Sequence, residues 1–145
     1  KRTKEEKPKH VVAFTHIAPF LRSESEPAAY FNLAVEVRLA LLARLRECGV
    51  SKLFAGHFHR NTGGHTDDKE LEVVVTSAIG TTITHRQGAA PKDFAELRGM
   101  GGVQARPETS GLRVVRVGKE KITHQWHTVQ DLNCNSSLQP DTQVD

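Results

Sequence analysis

Cysteine is nearly missing from this chain. Only Cys48 and Cys134 occur in 145 residues, which excludes a disulfide-stapled secreted scaffold. Neither has a nearby histidine that would mark it as a nucleophile. Long apolar runs are missing too: no stretch of about 18 hydrophobic residues is present to span a bilayer. The first ten residues, Lys1 to His10, are charged where a secretory leader would be apolar. A soluble, cytoplasmic chain with no membrane partner is expected, and the sequon at Asn135, Ser136 and Ser137 then has no secretory context. An excess of either charge is nearly missing, since the net is only +3. Much of it sits in Lys1, Arg2, Lys4, Lys7 and Lys9, so residues 1–9 are read as a solvated basic connector. The sequence pI is near 9.0, yet aromatic and basic residues do not interleave on a strand face, so no nucleic-acid partner is expected.

What is present suits one domain with a real core, at 37% hydrophobic and 26% charged residues. Val11 to Thr15 is a nearly continuous apolar run ending at His16, the pattern of a strand buried on both faces. Pro27 suits the first turn of a helix, with Glu24, Ser25 and Glu26 near its positive end. The stripe Tyr30, Leu33, Val37, Leu41, Leu45 and Cys48 predicts a helix of about twenty residues, stopped by Gly49. A second apolar run, Leu53 to Ala55, leads into Gly56 and His57. Strand, helix, strand is one βαβ unit, whose strands run parallel and end on the same sheet edge. His16 and His57 are therefore expected to be neighbours.

Further along, Asn61 to Asp68 reads as turn, and Leu71 to Thr76 as a third strand. Residues 85–110 carry several glycines and prolines with little periodicity, and read as a flexible insertion with one helical turn around Asp93 to Leu97. Leu112 to Val117 and Ile122 to Thr128 predict a β-hairpin. The domain is expected to span residues 10–129, with 130–145 a disordered tail.

The chemistry concentrates in Gly56-His57-Phe58-His59-Arg60-Asn61. In an extended segment, residues two apart point to the same side, roughly 6.5 to 7 Å apart. His57 and His59 could then grip one metal, or one each of two metals. Gly56 would permit close approach of the backbone. A His-x-His pair alone is also the outer face of many strands, but His16 arriving at the same edge makes His16, His57 and His59 the candidate metal ligands. His65 reads as a solvated turn residue, and His124 and His127 as ordinary hairpin positions.

These residues resemble the last motifs of the calcineurin-like metallophosphoesterases, a strand-end histidine and Gly-His-x-His. The closer resemblance is to the calcineurin-like phosphoesterase domain-containing serine/threonine protein phosphatases. It is carried by Phe14-Thr15-His16, Tyr30-Phe31-Asn32-Leu33, Gly56 to Asn61, Ser77-Ala78-Ile79-Gly80 and Gly111-Leu112-Arg113-Val114-Val115. The resemblance implies an α/β fold, the C-terminal half of a β-sandwich flanked by helices. It also implies two divalent cations (manganese, iron or zinc) and a phosphoprotein substrate hydrolysed as a phosphate monoester. His16 and His57 would ligate one metal and His59 the other. Arg60 is either a phosphate contact or a surface side chain following the motif.

The family's N-terminal motifs, Asp-x-His, Gly-Asp and Gly-Asn-His, do not occur; this chain contains no Gly-Asp or Gly-Asn dipeptide at all. Two cations without a bridging carboxylate repel one another. The expectation is an incomplete chain, inactive alone, with no catalytic side chain assigned within it. The alternative is a non-catalytic metal-binding or protein-interaction module of the same fold.

Overall fold

In the computed structural model, residues 8–80, 82–85, 103–106 and 110–132 are described. Val11–Thr15 forms β1, Val35–Glu47 helix α1 and Val50–Ala55 β2. Three strands follow: Thr62–His65 (β3), Glu72–Val75 (β4) and Thr82–His85 (β5). Val103–Arg106 (β6), Gly111–Val117 (β7) and Ile122–Thr128 (β8) complete the order. The main sheet runs β1-β2-β4-β3, with β5-β6 and β7-β8 as separate antiparallel pairs. β1 lies parallel to β2 with Thr15 beside Ala55, and β2 parallel to β4, while β3 closes the sheet antiparallel to β4. The expected βαβ unit and the β7-β8 hairpin are both present.

Period-two alternation sorts the sheet into two faces. Leu53, Ala55, Val73 and Val75 point toward Ala18, Phe20, Leu42 and Leu71, and this is the core. Burying a side chain such as Leu42 stabilises by about 1.5 to 3 kcal/mol. The opposite face carries Phe14, Lys52, Phe54, Glu72 and Thr76, and meets the hairpin through Arg113 and His124. Strand β1 departs from expectation here. It is an edge strand whose second face is open, with Phe14 75% exposed and stacked at 5.6 Å on the ring of Phe54.

The helix also departs. It begins at Val35, so Pro27 to Leu33 lie outside it, and its inward side chains are Arg38 and Leu42 rather than Val37, which is 56% exposed. The physical reason is Arg38. Its guanidinium is fully buried and donates to the backbone carbonyls of Pro19 (2.8 Å), Glu24 (2.8 Å), Glu26 (2.6 Å) and Leu33 (3.0 Å). A buried arginine is tolerated only when its donors are matched, and here irregular backbone matches them. Gly49, with φ of 72°, takes the left-handed position after the helix, as expected, and its N–H donates to the Arg46 carbonyl at 2.8 Å. Cys48 is exposed and does not extend the apolar stripe.

Two further corrections concern segments read as loop. Thr62–His65 is a strand, possible because Gly63 and Gly64 lack side chains: a Cβ would lie 2.2 Å from the Val73 carbonyl oxygen at the first and 2.5 Å from that of Arg22 at the second. The stretch 85–110 contains β6, which pairs with β5. The helical turn at 93–97, the connector 1–7 and the tail beyond 132 lie outside the described residues. Among the described residues no helix is long and apolar enough to cross a membrane.

Candidate metal centre

β1 and β2 end side by side, and their C-terminal ends deliver His16 and His57 to one place. Gly56 N–H donates to the His16 carbonyl at 3.1 Å, continuing the parallel ladder one step past the strands. The two imidazole rings lie edge to face with centroids 4.8 Å apart. A Cβ on Gly56 would come no nearer than 4.0 Å to the His16 carbonyl oxygen, so close approach does not demand glycine there.

The histidine motif itself is not extended. Phe58 N–H donates to the Gly56 carbonyl at 2.7 Å, closing a three-residue turn on His57, whose φ is 62°. His59 is also left-handed, with φ of 56°. Such conformations in a non-glycine residue cost on the order of 1 to 3 kcal/mol and concentrate at functional sites. With this backbone the two-residue alternation of a strand does not apply. The structure thus joins His16 to His57. It brings His59 close enough for its charge to act on His57, but among the described residues no group of three His, Cys, Asp or Glu side chains is arranged to hold an ion. The His59 carbonyl accepts from Ser77 Oγ at 2.9 Å, which ties this turn to the end of β4.

Burial, then the neighbouring His16 charge and to a lesser degree His59, push the His57 imidazolium below the ordinary histidine range, against a hydrogen bond to the Tyr30 backbone that favours it. The neutral ring is the form that binds metal. His57 Nε2 is shielded from solvent and has no hydrogen-bond partner. An orphaned, buried nitrogen on an imidazole that packs against a second imidazole fits the histidine part of a transition-metal site, and a carboxylate partner would have to complete it.

The aromatic surroundings were not foreseen. Tyr30 and Phe31, assigned from the sequence to a helix, sit in the irregular segment before α1, with ring centroids 5.0 and 5.5 Å from that of His57. Phe31 meets Phe58 edge-on at 5.0 Å. One available signal was the Ser23-x-x-Glu26 spacing, which at a helix start makes a capping box. Here the Glu26 carboxylate accepts the N–H groups of Leu21, Arg22 and Ser23, at 2.7, 2.9 and 3.2 Å, and builds a turn instead. Arg60 stacks over the Phe58 ring at 5.4 Å, and burial lowers its guanidinium pKa from the usual value. Of the remaining histidines, His65 is exposed on β3, while His124 is engaged by Arg113 and Glu72.

The fold is mixed α/β and compatible with part of a metallophosphoesterase domain. Comparison with known proteins places the chain among homologues of a protein phosphatase. It is 38% identical over 125 residues to the serine/threonine-protein phosphatase CPPED1 of Bos taurus, 35% identical over 125 residues to that of Danio rerio, and 34% identical over 125 residues to that of Homo sapiens. Each match covers 86% of this chain but only 32 to 33% of the relative, so the chain spans about a third of the length of the curated relatives it matches. No family model matches the chain, and no solved structure matches it significantly.

Proposed function

We propose that this chain is part of a cytoplasmic, dinuclear metal-dependent phosphoesterase that hydrolyses phosphate monoesters on phosphorylated serine or threonine of a protein substrate. The observation that supports it best is the His16–His57 pair with its orphaned Nε2, in a chain homologous to named protein phosphatases. His16 and His57 hold one cation in this account and His59 contributes to the second; manganese, iron and zinc all suit imidazole donors. Bound cations would supply Lewis-acid stabilisation of charge on the phosphoryl oxygens. The protein's own part is to keep His57 neutral, hold its ring in one orientation and exclude water behind it with Tyr30 and Phe31. Arg60, stacked over Phe58, would be the phosphate contact in this account.

Cations held a few ångströms apart need a bridging carboxylate, and the dipeptides that would mark it do not occur here. The 145 residues alone are accordingly proposed to be inactive, with the remaining ligands supplied by a longer product. Hydrolysis of p-nitrophenyl phosphate with added manganese tests this. The longer product is expected to turn over and to lose roughly 100-fold or more on His57→Ala, while the chain alone does not turn over. Chelator-insensitive turnover by the longer product would refute the metal assignment, and full turnover by the chain alone would refute incompleteness.

A second reading is a non-catalytic module of the same fold, holding a single cation on the His16–His57 pair or serving as a protein-interaction surface. It expects one cation per longer product where the first expects two.

A further inference from the structure

Asn61 follows the histidine motif directly and is exposed, so burial does not explain where its side chain lies. Its Oδ1 accepts donors from two other elements: the Ser77 N–H, just past the end of β4, at 3.2 Å, and Arg113 Nη2 on the hairpin at 2.9 Å. Both partners only donate, so the amide must present its oxygen here and not its nitrogen. Ser77, itself buried, directs its hydroxyl to the His59 carbonyl at 2.9 Å. One residue therefore grips the chain on both sides of Arg60, through its backbone to Asn61 and through its side chain to His59. The grip is anchored in turn. Thr76 N–H donates to the Ala55 carbonyl at the end of β2 at 2.7 Å, and Thr76 Oγ1 accepts Arg113 Nε at 3.0 Å.

The two left-handed histidines differ in what closes their turns. At His57 the cause is local, since Phe58 N–H returns to the Gly56 carbonyl at 2.7 Å. At His59, with φ of 56°, the carbonyl is held from β4 instead. A left-handed backbone in a residue with a side chain persists only where the surroundings over-determine it. We infer that Asn61 is a positioning residue for His59: its amide oxygen holds Ser77, Ser77 holds the His59 carbonyl, and Arg113 steadies Asn61 from the hairpin. The turn that presents the second histidine of the motif is set by this clasp and not by its own residues. The backbone restraint stands with or without metal, whereas its consequence for a cation rests on the proposed role of His59 as a ligand of the second one.

The test is NMR of the metal-free whole chain, reading the cross-relaxation between the amide proton and Hα of His59, which is strongest in left-handed backbone because the two protons then lie closest. The native chain is expected to show the strong signal. Asn61→Ala, which removes the acceptor itself, and Ser77→Ala, which removes the donor to the His59 carbonyl, are expected to lose it. Asn61→Asp keeps an oxygen for both donors and should retain it, read without metal so that its added charge has no cation to attract. His57, whose turn is closed locally, should keep its own strong signal in every variant, which separates positioning from general loosening. In the longer product, Asn61→Ala is expected to weaken the second cation roughly 10- to 100-fold in calorimetry and to leave the first unchanged, the range for loss of a group that orients a metal ligand. A strong His59 signal surviving in folded Asn61→Ala would overturn the inference, as would a weak one in the native chain; should Asn61→Ala fail to fold, Ser77→Ala decides on the same signal. A longer product that binds fewer than two cations would instead refute the ligand role of His59, leaving the His59 signal to decide the inference.

Discussion

Arg113, on the hairpin, donates from Nη2 to Asn61 Oδ1 at 2.9 Å, and the same oxygen accepts the Ser77 N–H at 3.2 Å. Ser77 in turn donates to the His59 carbonyl, so a residue on β7 reaches the histidine turn through a continuous set of hydrogen bonds. A guanidinium only donates, so His124 Nδ1, 2.9 Å from Arg113 Nη1, must accept, which leaves a proton on Nε2 for Glu72 Oε1. Replacing Arg113 by Ala is expected to cost about 1 to 3 kcal/mol, and amide exchange at Ser77 should quicken as its acceptor loosens. Unfolding midpoints and hydrogen exchange of the variant measure both; unchanged exchange at Ser77 would show that the turn stands without the hairpin.

Glu72 predicts a pH dependence with a definite sign. Burial raises its carboxyl pKa, but hydrogen bonds from Lys52 and His124, reinforced by the charge of Lys52, hold it below the ordinary value of 4.5. A carboxyl depressed in the folded state adds stability that is complete above that ordinary value and is lost as pH falls through the folded one. Stability measured by denaturant titration should therefore decline below about pH 4.5. Glu72→Gln should flatten that decline and lower stability at neutral pH by about 1 to 2 kcal/mol.

Gly111 opens β7 against β8. A Cβ there would lie 1.9 Å from the His127 carbonyl oxygen, so Gly111→Ala must displace backbone. The loss is expected at about 1 to 3 kcal/mol, by thermal or denaturant unfolding. Gly118→Ala, whose Cβ would stand 3.3 Å from the Lys121 carbonyl oxygen, should lose less.

Arg38→Met would fill similar space while leaving four carbonyls without their donor. A loss of about 3 kcal/mol or more is expected, with the segment preceding α1 the first to open in hydrogen exchange. A variant as stable as the native chain would remove Arg38 as the organiser of that segment.

Parallel pairing of β1 with β2 was legible because an apolar run, a helix-length spacer and a second apolar run leave few topologies, and with it came the meeting of His16 and His57. The helix start was not. Arginine normally marks the solvated side, and here the side chain is drawn inward by carbonyls from residues 19 to 33 positions that no periodicity encodes. Strand β3 was hidden for the opposite reason: Thr62-Gly63-Gly64-His65 has poor strand propensity, and only the packed neighbours of the two glycines explain it. The left-handed backbone at His57 and His59 was likewise invisible, since a short-range hydrogen bond rather than residue type imposes the turn on His57.

Cation binding by the His16–His57 pair is measured most directly by titrating the metal-free chain with zinc in a calorimeter, beside His16→Ala and His57→Ala. A saturable site in the native chain, weakened at least about tenfold by either substitution and released as the imidazoles protonate, is the predicted result. Equal affinity in all three proteins, or no binding by the native chain, would contradict it.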